Sequence, residues 1–205
     1  MYYGERFNGW SHLAGTLLAV GALVWLVVVA ALQGDPWKIV SFSLYGGTLV
    51  LLYLVSTLYH SVKGRAKAIL QKCDHSAIYL LIAGSYTPFS LVTLQGPWGW
   101  TLFGLVWGLA LFGIVQELTL GRRTRVLSMI LYVVMGWLVL VAIVPLVERL
   151  EPWGLFWLAL GGVIYSVGIY WFINDEKIRH GHGIWHLFVL AGSACQFVSV
   201  MGYVA

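Results

Sequence analysis

Residues 11–32 read SHLAGTLLAVGALVWLVVVAAL and contain no Asp, Glu, Lys or Arg. A helix needs about 20 such residues to cross a hydrocarbon layer of about 30 Å, so this run is long enough to span a membrane. Six further runs of the same kind follow, at about 39–61, 76–94, 100–118, 126–147, 153–173 and 183–204. The expected fold is therefore all-α: a polytopic membrane protein forming a seven-transmembrane helix bundle. Composition agrees, with 60% hydrophobic residues, 10% charged residues and a mean hydropathy of +0.85. A soluble domain carries about 25% charged residues.

The connections are short and punctuated by Gly and Pro, as in Gln33-Gly-Asp-Pro-Trp37 and Gln95-Gly-Pro-Trp-Gly-Trp100. No linker or internal repeat divides the chain, so one helical domain is expected over 1–205. The first run follows Glu5 and Arg6 and has no A-x-A-like site, which predicts that it is retained rather than cleaved as a signal peptide. A net charge of +4 is not read as nucleic-acid binding, because the charges fall in short loops between apolar runs. Ten Lys and Arg (Arg6, Lys63, Arg65, Lys67, Lys72, Arg122, Arg123, Arg125, Lys177, Arg179) fall on one side of the alternating spans, and only Lys38 and Arg149 on the other. The positive-inside rule then predicts a cytoplasmic N-terminus and an outside C-terminus, opposite to a G-protein-coupled receptor, in the plasma membrane.

Cys73 is expected in a cytoplasmic loop and Cys195 in the last span, which argues against a structural disulfide. Pro88 and Pro145 are expected as breaks inside the third and fifth spans. Trp10, Trp37, Trp98, Trp100 and Trp153 lie near span ends as interfacial anchors. Gly46-Gly47, Gly161-Gly162 and Gly192-Ser193 are read as points of close helix approach, with no chemistry assigned.

Polar residues gather towards one side. His180-Gly-His182-Gly-Ile-Trp-His186 turns a polar loop into the seventh span, and His182 and His186, four apart, share a helix face. Such a pair alone reads first as interfacial histidines bound to water or backbone, and only second as metal ligands. The second span, however, ends in Ser56-Thr-Leu-Tyr-His60 and the third begins at Asp74-His75, both at the same predicted depth. Ionisable groups there are costly and mark function. His60, His182 and His186 would make an open three-histidine zinc site, whose fourth position admits water. Asp74 would orient that water and take its proton, and Ser56 would bond the water or a substrate oxygen. A structural alternative makes Asp74 the N-cap of the third helix or a partner of Lys72 or a histidine.

Glu5, Asn8 and His12 follow at helical spacing into the first span, as supports for the ligands; His12 also rivals His60 as third ligand. Cys73 is a conceivable fourth ligand that would close the site. His75 and His180 read as flanking residues. Gln116 and Glu117 are expected to pair with Arg122 or Arg123.

These residues carry a resemblance. Glu5-x-x-Asn8-x-x-x-His12, Ser56-x-x-x-His60, Asp74-His-Ser with Gly84-Ser-Tyr-Thr-Pro88, and His182-x-x-x-His186 resemble, in order and sidedness, the motifs of the haemolysin III family. Those are bacterial members of the progestin and adipoQ receptor superfamily, which includes the adiponectin receptors and is related to alkaline ceramidases. The resemblance implies seven helices with a cytoplasmic N-terminus, zinc on the equivalents of His60, His182 and His186, and an aspartate at Asp74 beside the water. It also implies a zinc-dependent hydrolase of a lipid amide or ester, with membrane lipids as partners and no nucleic acid. Two departures are the absence of the animal receptors' longer N-terminal region and the very short outside loops. The alternative expectation is a non-enzymatic haemolysin or a regulator of membrane state with a structural zinc, although no span carries a repeating polar face of the kind that would line a pore.

Overall fold

The computed structural model describes residues 1, 4–120 and 125–205, and among them the chain is helical without a strand. The helices are α1 (Arg6–Gln33), α2 (Pro36–Tyr59), α3 (Gly64–Pro88), α4 (Gly96–Leu120), α5 (Arg125–Gly136), α6 (Ile143–Arg149), α7 (Pro152–Ile173) and α8 (Gly181–Tyr203). A π-helical stretch, Phe89–Leu94, extends α3, and a 3-10 stretch, Leu138–Ala142, joins α5 to α6. Counted this way, seven stretches are long and apolar enough to span a membrane, the fifth being Val126–Arg149.

Local chemistry sets the ends. Gly34 takes the left-handed conformation (φ 67°) that terminates α1. Asp35 then caps α2, its carboxylate accepting from the amides of Trp37 and Lys38 at 2.9 and 3.2 Å, while Pro36 occupies the first helical position, where its missing N–H costs nothing. Trp10, Trp37, Trp98, Trp100 and Trp153 are all exposed, as anchors should be.

Two expectations require correction. First, the third helix begins at Gly64 rather than near 76, so Asp74 lies about three turns inside it and cannot be its N-cap. The apolar pattern hides this beginning because Arg65, Lys67, Gln71 and Lys72 are helical but interfacial. For the same reason Cys73 is an exposed residue of α3, not of a loop, and it and Cys195 are free thiols. Second, the fifth span breaks at Gly136–Ile143, ahead of Pro145. Pro145 falls at the third position of α6, where an amide has no intrahelical partner in any case. Pro88 breaks the third span as expected, where α3 changes to the wider π-helical turn.

The fifth-span break exposes backbone groups inside the bundle, and Tyr86 of α3 satisfies them. Its hydroxyl donates to the Gly136 carbonyl at 2.8 Å and accepts from the Val139 amide at 2.9 Å. Non-helical backbone at membrane depth is tolerated only with such partners. Tyr86→Phe removes both bonds at once and is expected to destabilise the protein by about 1–3 kcal/mol, the cost of unmatched buried polar groups. Reversible unfolding in detergent checks this; an unchanged midpoint would mean that the break is satisfied in some other way.

The core centres on α2 and α3, with Phe42, Tyr45, Leu49, Tyr53 and Tyr79 buried between them and their neighbours. Helix α1 packs on α2 and α8, and α7 packs chiefly on α8. Gly46 shows why small residues fall where they do: a Cβ there would lie 2.6 Å from Leu23 of α1. Tyr53 and Tyr165 both reach Ser193 Oγ, at 2.7 and 2.8 Å, tying α2, α7 and α8 together. A cavity lined by α3, the fifth span, α7 and α8 runs through the bundle, with the cluster of histidines at one end.

Candidate metal centre

Helix α8 starts at a sharp corner, with His180 in the left-handed conformation (φ 61°) at its N-cap. From there His182 and His186 project one turn apart. Gly183, between them, lies so near α1 that a Cβ would come within 2.2 Å of the Phe7 ring and 2.9 Å of the Asn8 side chain. The glycine therefore lets the start of α1 lie directly on the start of α8. His60 arrives at the C-terminal end of α2.

The three rings converge, with centroid separations of 5.1 Å (His60 to His182), 5.0 Å (His60 to His186) and 4.8 Å (His182 to His186). One potential ligand atom from each lies within 4.8 Å of the others, close enough for the three to hold one metal ion. His60 and His186 are buried, and His182 is half-buried.

Each ring is fixed through Nδ1. His60 Nδ1 lies 2.6 Å from the Glu5 carboxylate and His182 Nδ1 lies 2.9 Å from that of Asp175. His186 Nδ1 donates to the Asn8 carbonyl at 3.1 Å, with Ser11 Oγ at 3.2 Å. A carbonyl only accepts, so Nδ1 of His186 carries the proton and its Nε2 keeps a lone pair; the two carboxylates impose the same tautomer on His60 and His182. The Nε2 of His60 is buried with no hydrogen-bond partner. Three Nε2 lone pairs with their opposite nitrogens held by acceptors is the arrangement found around metal-bound histidines, so these residues fit a metal.

The electrostatics favour the same state. Burial pushes the His60 imidazole below its ordinary value, against the opposing pull of Glu5, a direction that favours the neutral, ligating form. Burial alone would raise the Glu5 carboxyl, but hydrogen bonds from His60, Lys67 and Asn8 hold it far below the usual carboxylate range. Lys67 Nζ reaches Glu5 Oε1 at 2.7 Å and Asn8 Nδ2 reaches Oε2 at 2.9 Å. Glu5→Gln is expected to weaken metal affinity about 10–100-fold while leaving the fold intact. Competition with a coloured chelator measures this; unchanged affinity would reduce the Glu5 contact to a fastening of α1 onto α2.

Asp74 and Ser56 line the cavity beside the histidines. Asp74 is buried and close enough to His60 and His182 to interact with them electrostatically. Ser56 Oγ, buried and near the same carboxylate, makes no well-formed hydrogen bond. Both side chains therefore face the space in front of the cluster with bonding capacity in hand.

His12, the rival ligand, lies elsewhere in the arrangement. Its ring stacks on His186 with centroids 3.5 Å apart and planes within 11°. The in-plane lone pairs of two such rings run parallel and do not meet at one ion, and His12 is not part of the three-histidine group. Cys73 is exposed and also outside that group. Lys72 is not paired with Asp74; it donates to the Leu118 carbonyl. The pairing expected of Gln116 and Glu117 with Arg122 or Arg123 concerns residues outside the described ones. What is described is a second polar knot, in which Glu117 holds His75 Nδ1 at 2.9 Å and accepts from Ser128 at 3.2 Å. Sequence reasoning missed Asp175, Ser11 and Lys67 as supports. For Asp175 a signal existed, a carboxylate seven residues ahead of His182 in a short polar loop.

Residues 2–197 match the family model described as haemolysin-III related. The chain is 46% identical over 201 residues to Hemolysin-3 of Bacillus cereus, covering 98% of this chain and 91% of that protein. It is 49% identical over 200 residues to a Hemolysin-3 homolog of Bacillus subtilis (strain 168), covering 97% and 93%. A more distant similarity, 28% over 207 residues, covering 98% of this chain and 84% of the relative, links it to the Monocyte to macrophage differentiation factor of Homo sapiens.

Proposed function

The chain belongs to the haemolysin III-related family of multi-pass membrane proteins, and we propose that it is a zinc-dependent hydrolase that cleaves the amide or ester bond of an acyl lipid. The observation that supports this reading best is the juxtaposition of three tautomer-fixed histidines with Asp74 at the end of a largely apolar cavity lined by α3, the fifth span, α7 and α8. A purely structural metal has no need of a neighbouring void of about 330 Å³ or of a buried carboxylate directed towards it.

His60, His182 and His186 would hold the ion, which when bound there would supply Lewis-acid polarisation of a carbonyl and lower the pKa of water to about 7. Asp74 accepts the proton of the attacking water and returns it to the leaving amine or alcohol. Ser56 orients the water or the substrate oxygen. The apolar wall excludes bulk water and takes the acyl chain.

The cluster lies at the end of the bundle where the chain starts. With ten of twelve Lys and Arg assigned to that side by the sequence, the positive-inside rule supports a position for it at the cytoplasmic headgroups, where a lipid carbonyl lies. A C-terminal alkaline phosphatase fusion in a bacterial host is expected to be active and a C-terminal green fluorescent fusion dark; the reverse pattern would invert the topology.

The function is tested by incubating the zinc-loaded protein with vesicles of mixed acyl lipids and following the products by mass spectrometry. Released fatty acid that depends on zinc supports hydrolysis. A second reading, membrane lysis, takes its support from the 46% identity to a protein named Hemolysin-3. Haemolysis undiminished in a variant lacking all three histidines, together with no lipid product, would favour it.

A further inference from the structure

The cavity continues well past the histidines. Along α7 it is lined by Phe172, Ile169, Tyr165, Gly162, Leu158 and Leu155, one face of the helix sampled every three or four residues. Phe172 stands at the level of the cluster, 6.1 Å from the His182 ring. At 1.5 Å per residue the lined stretch is about 25 Å long. One leaflet offers about half of a 30 Å hydrocarbon layer, so this space is longer than a leaflet is deep. Its volume of about 330 Å³ is drawn out along that length rather than gathered at the histidines.

Beyond the histidine end, the polar groups that line the space are engaged with the protein. Tyr165 bonds Ser193, Ser166 accepts from Trp137 Nε1 at 3.1 Å and donates to the Gly162 carbonyl, and Gln196 Nε2 holds the Leu158 carbonyl; Gln196 Oε1 is unmatched but closed off from the surface. An occupant must therefore be apolar along its length. About midway lie two glycines, Gly136 at the end of α5 and Gly162 on α7. A Cβ at either would meet nothing within 4 Å, whereas a Cβ on the adjacent Gly161 would crowd Gln196 and Gly192 of α8. Thus Gly161 serves helix packing, as expected of the pair, but Gly162 opens onto the cavity. The Trp137 to Ser166 bond ties α5 to α7 at this same level.

We propose that Gly162 and Gly136 form a chain-length selector: the space they leave open admits a long acyl chain past the middle of the membrane, with its carbonyl end at the histidine cluster. The inference rests on the reading of that cluster as the site of lipid binding and hydrolysis. A short chain ends before the waist, which lies about 15 Å from Phe172, and gains nothing from the farther half. A long chain passes through and buries its remaining methylenes there, and each buried methylene favours binding.

The test uses the full-length, zinc-loaded protein in nanodiscs, with octanoyl and stearoyl amides of one amine. Both the turnover of each amide and the equilibrium binding of the radiolabelled amides are measured. The unaltered protein is expected to prefer the stearoyl amide. Gly162→Leu should lower kcat/KM and binding for the stearoyl amide about tenfold, with the octanoyl amide within about twofold and metal content unchanged. Gly47→Leu, at a glycine with equally open space but off the cavity, should alter neither. An equal loss for both chain lengths, or no loss for either, overturns the selector. Should the unaltered protein hydrolyse neither amide, the hydrolase reading fails, and the binding ratio decides the selector alone: a chain-length-dependent loss in Gly162→Leu supports it, and the absence of one overturns it.

Discussion

Replacement of His186 by alanine is expected to abolish metal retention, taking bound zinc from about one per chain to near zero and hydrolysis to background. His186 is buried, its Nδ1 is committed to the Asn8 carbonyl, and its ring lies within 5.0 Å of His60 and 4.8 Å of His182, so no other side chain of the three-histidine group can take its place. His12, stacked on the same ring, presents parallel lone pairs and does not substitute. The loss has a second readout. A ligand that binds only the folded state stabilises it by about 4 kcal/mol at a thousand times its dissociation constant. Zinc should therefore raise the unfolding temperature of the unaltered protein and leave that of His186→Ala unmoved. Equal stabilisation of both proteins by zinc would place the metal elsewhere.

Asp74→Asn tests the chemistry and leaves the ligands in place. Asparagine is nearly isosteric and retains hydrogen-bonding capacity in the cavity wall, but it cannot accept a proton from water. Turnover is expected to fall about 10²–10⁴-fold, the contribution of a positioned general base, with metal content close to that of the unaltered protein. If metal is lost together with activity, Asp74 is a ligand and the open three-histidine arrangement is wrong. If turnover persists, the base is another group.

The span count and the order of the elements were legible because twenty apolar residues in a row admit few alternatives, and Gly34, Asp35 and Pro36 each occupy the terminal position their chemistry predicts. The cluster of His60, His182 and His186 was legible through topology: alternation of spans brings the end of the second, the start of the third and the start of the seventh to one side. What hydropathy could not convey was helix that is not apolar. The first three turns of α3 carry Arg65, Lys67 and Lys72 at the interface, so Asp74 looked like a helix start and is in fact an interior residue. Nor could it locate the break at Gly136, which depends on Tyr86 from another helix to satisfy two backbone groups. Asp175 and the Asn8 carbonyl support their histidines through contacts set by the packing of α1, α7 and α8, and neither spacing nor composition encodes a backbone carbonyl as a partner.

The account stands most directly on the metal itself. Purified protein, expressed with zinc supplied and dialysed free of loosely bound ions, is analysed by inductively coupled plasma mass spectrometry beside His60→Ala, His182→Ala and His186→Ala. The predicted result is about one zinc per unaltered chain and close to none in each variant. Unaltered protein that stays metal-free despite supplied zinc, or variants that keep the full complement, would contradict it.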